Sequence, residues 1–117
     1  MGRVLLVEDH DGMHGLLCSL IEETGHQAEC VKTMQEALAR LAPASHHLAV
    51  ADVRLPDGLG RAIAERAAEL GIKAVLMSGH PDELHSLGLS DVVDLANPFS
   101  IADFYHVIQG HLGNQLG

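Results

Sequence analysis

Leu48-Ala49-Val50-Ala51-Asp52-Val53-Arg54-Leu55-Pro56-Asp57-Gly58 is the stretch on which the reading of this chain turns. Its first four residues are apolar without a break, the pattern of a strand buried on both faces, and the run stops at a single carboxylate. Leu55-Pro56-Asp57-Gly58 then reads as a turn, with proline and glycine at positions that suit one. A buried strand that delivers an acid into a turn places that acid at the carboxyl edge of a sheet.

The same signature recurs on either side. Val4-Leu5-Leu6-Val7 is an apolar run that stops at Glu8-Asp9. Residues 72–77 form another strand and end at Ser78-Gly79-His80-Pro81, while residues 91–96 form a weaker one before Asn97-Pro98. Residues 26–31 are more polar and suit a strand at a sheet edge. Between these runs the apolar period changes to that of a helix. Met13, Leu16, Leu17, Leu20 and Ile21 make a first stripe that should stop near Gly25. Thr33 and Glu36 open a second helix as a capping box, with Met34, Ala37, Leu38 and Leu41 on its buried face and Pro43 beyond its end. Leu59, Ala62, Ile63, Ala67 and Leu70 mark a third, stopped by Gly71. Residues 82–87 allow only a short fourth helix before Gly88. Ser100 caps a fifth, with Asp103 in its first turn and Ile101, Phe104, Ile108 and Leu112 on its face. Five strands alternating with five helices predict an α/β fold, a doubly wound five-stranded parallel sheet with helices on both faces.

On that scaffold Glu8, Asp9, Asp52, Ser78 and Asn97 all fall at the carboxyl edge, where sites form near the topological switch point of such sheets. Clustered carboxylates repel, so a proton or a cation must compensate. Oxygen donors of this kind suit hard Mg²⁺, with Mn²⁺ able to substitute. A carboxylate can also attack phosphorus to give an acyl phosphate, and a serine hydroxyl beside it can donate to a phosphoryl oxygen. An acid after one strand can equally cap a helix or close a turn. Three acids at two strand ends are harder to account for in that way.

Bulk properties narrow the class. The 117 residues suit one domain, 1–117, with residues 113–117 as a frayed tail. Seven Lys and Arg against sixteen Asp and Glu give a formal charge of -9. Without a basic stripe, binding to nucleic acid or to an anionic membrane is disfavoured. The opening residues lack a secretory pattern, and no run reaches the roughly eighteen apolar residues that span a bilayer. Cys18 sits in an apolar helical pattern, which predicts a small buried hydrophobe. Cys30 has no CxxC partner, so free thiols in a reducing cytoplasm are expected. Nine histidines form no zinc pattern. His10, His14, His46, His47, His106 and His111 are read as surface or capping residues, with His80 near the site as the one to watch. Phe99 and Phe104 are read as core, and Tyr105 as a candidate partner contact.

From residue 3 to residue 112 the chain resembles the receiver-domain family of bacterial response regulators, the CheY-like superfamily. The resemblance is carried by Val4-Leu5-Leu6-Val7-Glu8-Asp9-His10-Asp11, by the stretch quoted first, by Leu76-Met77-Ser78-Gly79 and by Asn97-Pro98-Phe99-Ser100. It implies a flavodoxin-like (βα)5 receiver fold with Asp52 as phosphoacceptor. It also implies that Glu8, Asp9, Asp52 and the backbone carbonyl of Arg54 hold Mg²⁺, and that the Ser78 hydroxyl contacts the phosphoryl group. The partners implied are a histidine kinase or a histidine phosphotransfer protein, docking near Met13 and His14, and a downstream protein effector. The implied state is a monomer or weak dimer in the cytoplasm. No enzymatic activity is implied beyond assisting the domain's own phosphorylation and dephosphorylation.

Two positions depart from the family pattern. Asn97 replaces a lysine, which removes a positive charge from a three-carboxylate site. Phosphorylation that is slower, more metal-dependent or poorly coupled to output is the expected consequence. Asp94 stands where the family has its switch aromatic, and a carboxylate cannot enter an apolar hole without a large desolvation cost. The usual aromatic switch, and dimerisation through the neighbouring face, are therefore not expected. A phosphorylation-independent protein-binding module is the alternative reading. A small flavodoxin-like enzyme is disfavoured, because Glu8-Asp9 stands where a glycine-rich phosphate loop would be needed.

Overall fold

The computed structural model describes residues 2–78, 92–96, 104, 106–108 and 110. Five strands form one sheet: β1 (Arg3–Val7), β2 (Gln27–Val31), β3 (Leu48–Asp52), β6 (Lys73–Ser78) and β7 (Val92–Ala96). Their order is β2-β1-β3-β6-β7, and every pairing is parallel. The continuous apolar runs of β1 and β3 sit centrally, where Val4 through Val7 and Leu48 through Ala51 are almost wholly excluded from solvent. The more polar β2 takes an edge, as its composition predicts. Because β1 leads to β2 on one side and the chain then crosses to β3 on the other, the sheet's switch point lies between β1 and β3. Glu8, Asp9 and Asp52 follow directly from those two strands.

Side chains alternate across the sheet with the two-residue strand period and divide the core into two layers. Leu5, Val7, Ala49, Ala51 and Leu76 pack with Ala37 and Leu41, and with Ile63, Ala64 and Ala67 of the third helix. On the other face Val4, Leu6, Leu48, Val50, Val75 and Met77 pack with Leu17, Leu20, Ile21, Phe104 and Ile108. Helix α1 (Asp11–Glu23) therefore covers one face, while α2 (Met34–Arg40) and α3 (Gly60–Glu69) cover the other. Phe104, residues 106–108 and Gly110 are helical.

The helix ends follow local chemistry. His10 caps α1, its Nδ1 accepting from the Met13 N–H at 3.3 Å, and Gly25 leaves the helix at φ +88°. Thr33 caps α2, its Oγ1 accepting from the Glu36 N–H at 3.1 Å. Two further first-turn donors of α2, the N–H groups of Met34 and Gln35, reach the Asp57 carboxylate at 2.7 and 2.9 Å. Those two bonds hold the Asp57 carboxyl below the usual Asp range. A depressed carboxyl contributes stability above its unfolded value and loses it as pH falls through the folded one. Asp57→Ala is therefore expected to lower the thermal midpoint by a few degrees at pH 7. Thermal melts should show the difference from wild type shrinking as pH drops below 4, and a difference that persists there would exclude the capping role.

Several expectations need correction. The segment after Asp52 is not only a turn: β4 (Arg54–Leu55) and β5 (Gly58–Leu59) pair as a two-residue antiparallel ladder apart from the main sheet. The β-structure is therefore mixed, not purely parallel. Leu16 and Leu59 were expected on buried stripes but are 43% and 51% exposed. Leu16 lies at the margin of its stripe, and Leu59 is the residue before α3 rather than part of it. His26 and His46 are buried, each with its ring held by a partner. The Gly2 N–H donates to His26 Nδ1 at 3.1 Å. His46 Nε2 meets Glu29 Oε1 at 2.7 Å, and its Nδ1 meets Ser45 Oγ at 2.8 Å.

Cys18 and Cys30 are not separate thiols either. They face one another across α1 and β2 as a disulfide, with their Cα atoms 6.4 Å apart. Spacing alone hid this, because the eleven intervening residues span a helix end and a turn. The expectations for His80, His111, Asn97, Phe99, Ser100, Ile101, Asp103, Tyr105 and Leu112, for the helix over 82–87 and for the tail over 113–117 lie outside the described residues. No described helix is long and apolar enough to cross a membrane.

Candidate functional site

Glu8 is the first residue past β1, and its backbone N–H donates to the Val31 carbonyl at 3.1 Å, extending the ladder with β2 by one bond. That continuation turns the carboxylate inward. Glu8 is 4% exposed, and its Oε1 accepts from the His10 N–H at 3.0 Å. Asp9 follows on the exposed side. Asp52 ends β3 in register with Met77 of β6, and the Val53 N–H donates to the Met77 carbonyl at 2.9 Å. Asp52 is partly buried.

The three acids expected to converge do so. Glu8, Asp9 and Asp52 each present a carboxylate oxygen, and these atoms lie within 4.8 Å of one another. Burial pushes the Asp52 carboxyl up to about 9, helped by a hydrogen bond with Glu8 and by the negative charges of Glu8 and Asp9. The cause is physical crowding: three anions this close in a partly dry site need a proton or a cation among them. A divalent ion with oxygen coordination fits that donor set. Asp11, by contrast, is drawn away from the cluster by Lys32, whose Nζ lies 2.5 Å from its Oδ1 at an exposed position.

Arg54 opens β4 two residues beyond Asp52. Ser78 is the last residue of β6, one step past the Asp52–Met77 pair and opposite Ala96. Asp94 lies within β7, opposite Leu76. His14 is partly buried, and its Nε2 has no hydrogen-bond partner among the described residues.

Gly60 was not singled out from sequence, yet it abuts the site. Its N–H donates to the Val53 carbonyl at 2.8 Å, and any Cβ there would collide with the Asp52 carbonyl oxygen. The signal available was a second glycine two residues after Gly58, on the far side of an exposed leucine.

No protein-family model matches the chain, and no curated protein does. Solved structures do. The non-phosphorylated HemR receiver domain from Leptospira biflexa is 27% identical, with a TM-score of 0.80 over 100% of this chain and 97% of its own. A CheY-like response regulator receiver domain from Methanospirillum hungatei is 26% identical, with a TM-score of 0.83 over 94% of this chain and 92% of its own. The beryllofluoride-activated NtrC4 receiver domain, a dimer in solution, is 25% identical at a TM-score of 0.77 over 95% of this chain and 96% of its own.

Proposed function

We propose that this chain, a CheY-like response-regulator receiver domain and hence a phosphoacceptor module of two-component or phosphorelay signalling, takes its phosphoryl group on Asp52. The observation that carries the assignment is the convergence of Glu8, Asp9 and Asp52 at the switch point of the sheet. In this reading Glu8, Asp9, Asp52 and the Arg54 carbonyl hold Mg²⁺, or Mn²⁺ in its place. When bound, the ion neutralises the carboxylates and the charge on the transferred group.

An Asp52 oxygen attacks the phosphorus of a phosphohistidine on a histidine kinase or phosphotransfer protein. The P–N bond breaks as the P–O bond forms, and the imidazole leaves. Glu8, fixed in place by the His10 N–H, would supply a carboxylate oxygen to the ion. The Ser78 hydroxyl donates to a phosphoryl oxygen, and Asn97 supplies an amide where the family has a lysine. The full (βα)5 architecture, a cytoplasmic location, the monomeric or weakly dimeric state and a downstream protein effector belong to the same reading. With Asp94 in the place of the switch aromatic, output is read through contacts other than an aromatic insertion.

Intact-mass measurement after incubation with acetyl phosphate and Mg²⁺ tests the assignment. One phosphoryl mass on the wild type, none on Asp52→Asn, and faster, less metal-dependent uptake by Asn97→Lys are the expected results. Uptake by Asp52→Asn equal to wild type would place the acceptor elsewhere.

A further inference from the structure

We propose that Cys18 and Cys30 form a reversible thiol–disulfide exchange site whose reagent is a small-molecule disulfide, and whose oxidation fastens α1 to the edge strand β2. The Cα–Cα separation of 6.4 Å lies within the span that the bond takes up without backbone movement. Both residues are partly buried at the margin of the α1 layer, outside its sealed core.

The fold does not depend on the bond. Leu17, Leu20 and Ile21 already seat α1 on Val4, Leu6 and Val50, and β2 is held by five register pairs with β1. Both oxidation states are therefore compatible with the same architecture. Cys18 Sγ also lies 3.9 Å from Glu22 Oε1, a contact that a thiol can use as a donor and a disulfide cannot. A bond that closes over a layer packed without it, and whose reduced form gains a hydrogen bond to Glu22, is placed for exchange. Where thiols are kept reduced, such bonds are characteristically transient. The helix it clamps begins at Asp11, directly behind Glu8 and Asp9.

The chemistry balances with oxidised glutathione as the reagent. One protein thiolate attacks a sulfur of glutathione disulfide, forming a mixed disulfide and releasing one glutathione thiolate. The second protein thiolate attacks the protein-side sulfur of that mixed disulfide, forming Cys18–Cys30 and releasing the second glutathione. The protein loses two hydrogens and two electrons, and the reagent becomes two thiols.

The test is to titrate the reduced full chain with oxidised glutathione and follow alkylatable thiols, intact mass and thermal midpoint. Both thiols should disappear together with no glutathione retained, and the midpoint should rise by roughly 10 °C, as expected for closing a short loop. Dithiothreitol should return the native protein to its starting state. Cys18→Ser and Cys30→Ser should each keep the midpoint of the reduced wild type and retain one glutathione on the remaining cysteine. A wild type that keeps a stable glutathione adduct, keeps both thiols free, or cannot be reduced without unfolding would overturn the proposal. So would oxidation that leaves the midpoint unchanged.

Discussion

Gly60→Ala is expected to destabilise the protein by about 3 kcal/mol or more, lowering the thermal midpoint by roughly 10 °C or more, and to weaken divalent-ion binding in whatever folded protein remains. The added methyl meets the carbonyl of Asp52 rather than a flexible side chain, and neither backbone is free to retreat. Asp52 is tied into β3 and β6 by the sheet ladder, and the Gly60 N–H is bonded to the Val53 carbonyl. Relief requires α3 to lift from a layer in which Ile63, Ala64 and Ala67 are buried against the sheet, or Asp52 to shift out of the cluster. Gly15→Ala is the control. That glycine lies inside α1, where a Cβ meets nothing within 4 Å, so the exchange should stabilise by about 0.5–1 kcal/mol. Urea unfolding of the two variants separates the effects. Equal small changes in both would mean that Gly60 does not press on Asp52.

The acids were legible for the same reason the central strands were. In a sheet covered on both faces, a strand has no polar side, so the first charged residue after an apolar run marks the point where the chain leaves the core. Glu8 and Asp52 both follow that rule, and the central position of β1 and β3 brings their ends together. The helical stripes were legible in direction but not in width. Periodicity places Leu16 beside Leu17, but only the neighbours a helix meets decide whether the margin is covered. Leu16 is left at 43% exposure while Leu17 is at 1%.

What stayed hidden depends on partners far away in the chain. Asp57 serves α2 across 23 residues, His46 finds Glu29 across 17, and Cys18 meets Cys30 across 12. A local window treats each of these as a turn acid, a surface imidazole and a lone thiol. Burying a histidine costs little once both ring nitrogens have partners, and that condition is met only in three dimensions. The two-residue ladder of β4 and β5 was missed on other grounds, since two paired residues are too few to register as an alternating pattern.

The metal-free protein is expected to become less stable as pH rises from about 4 to about 9, and Mg²⁺ to reverse the loss. Asp52 is pushed up to about 9 by burial, by its hydrogen bond with Glu8 and by the charges of Glu8 and Asp9, whereas in the unfolded chain it returns to an ordinary value near 3.8. Between those limits the native state binds the extra proton. Stability is therefore fully present below the unfolded value and declines as the folded group ionises. The loss should be on the order of 3 kcal/mol, the scale of an uncompensated charge in a partly dry site, or roughly 10 °C in midpoint. Asp52→Asn removes the titrating group, so its midpoint at pH 8 should exceed that of the metal-free wild type and its pH slope should be flatter. Every other titratable group is common to both proteins, so the difference between the two curves isolates Asp52. Mg²⁺ at about a hundred times its dissociation constant should add about 2.7 kcal/mol to the wild type at pH 8, and much less to Asp52→Asn. Parallel pH profiles for the two metal-free proteins would mean that the carboxylates do not share one charge-crowded site.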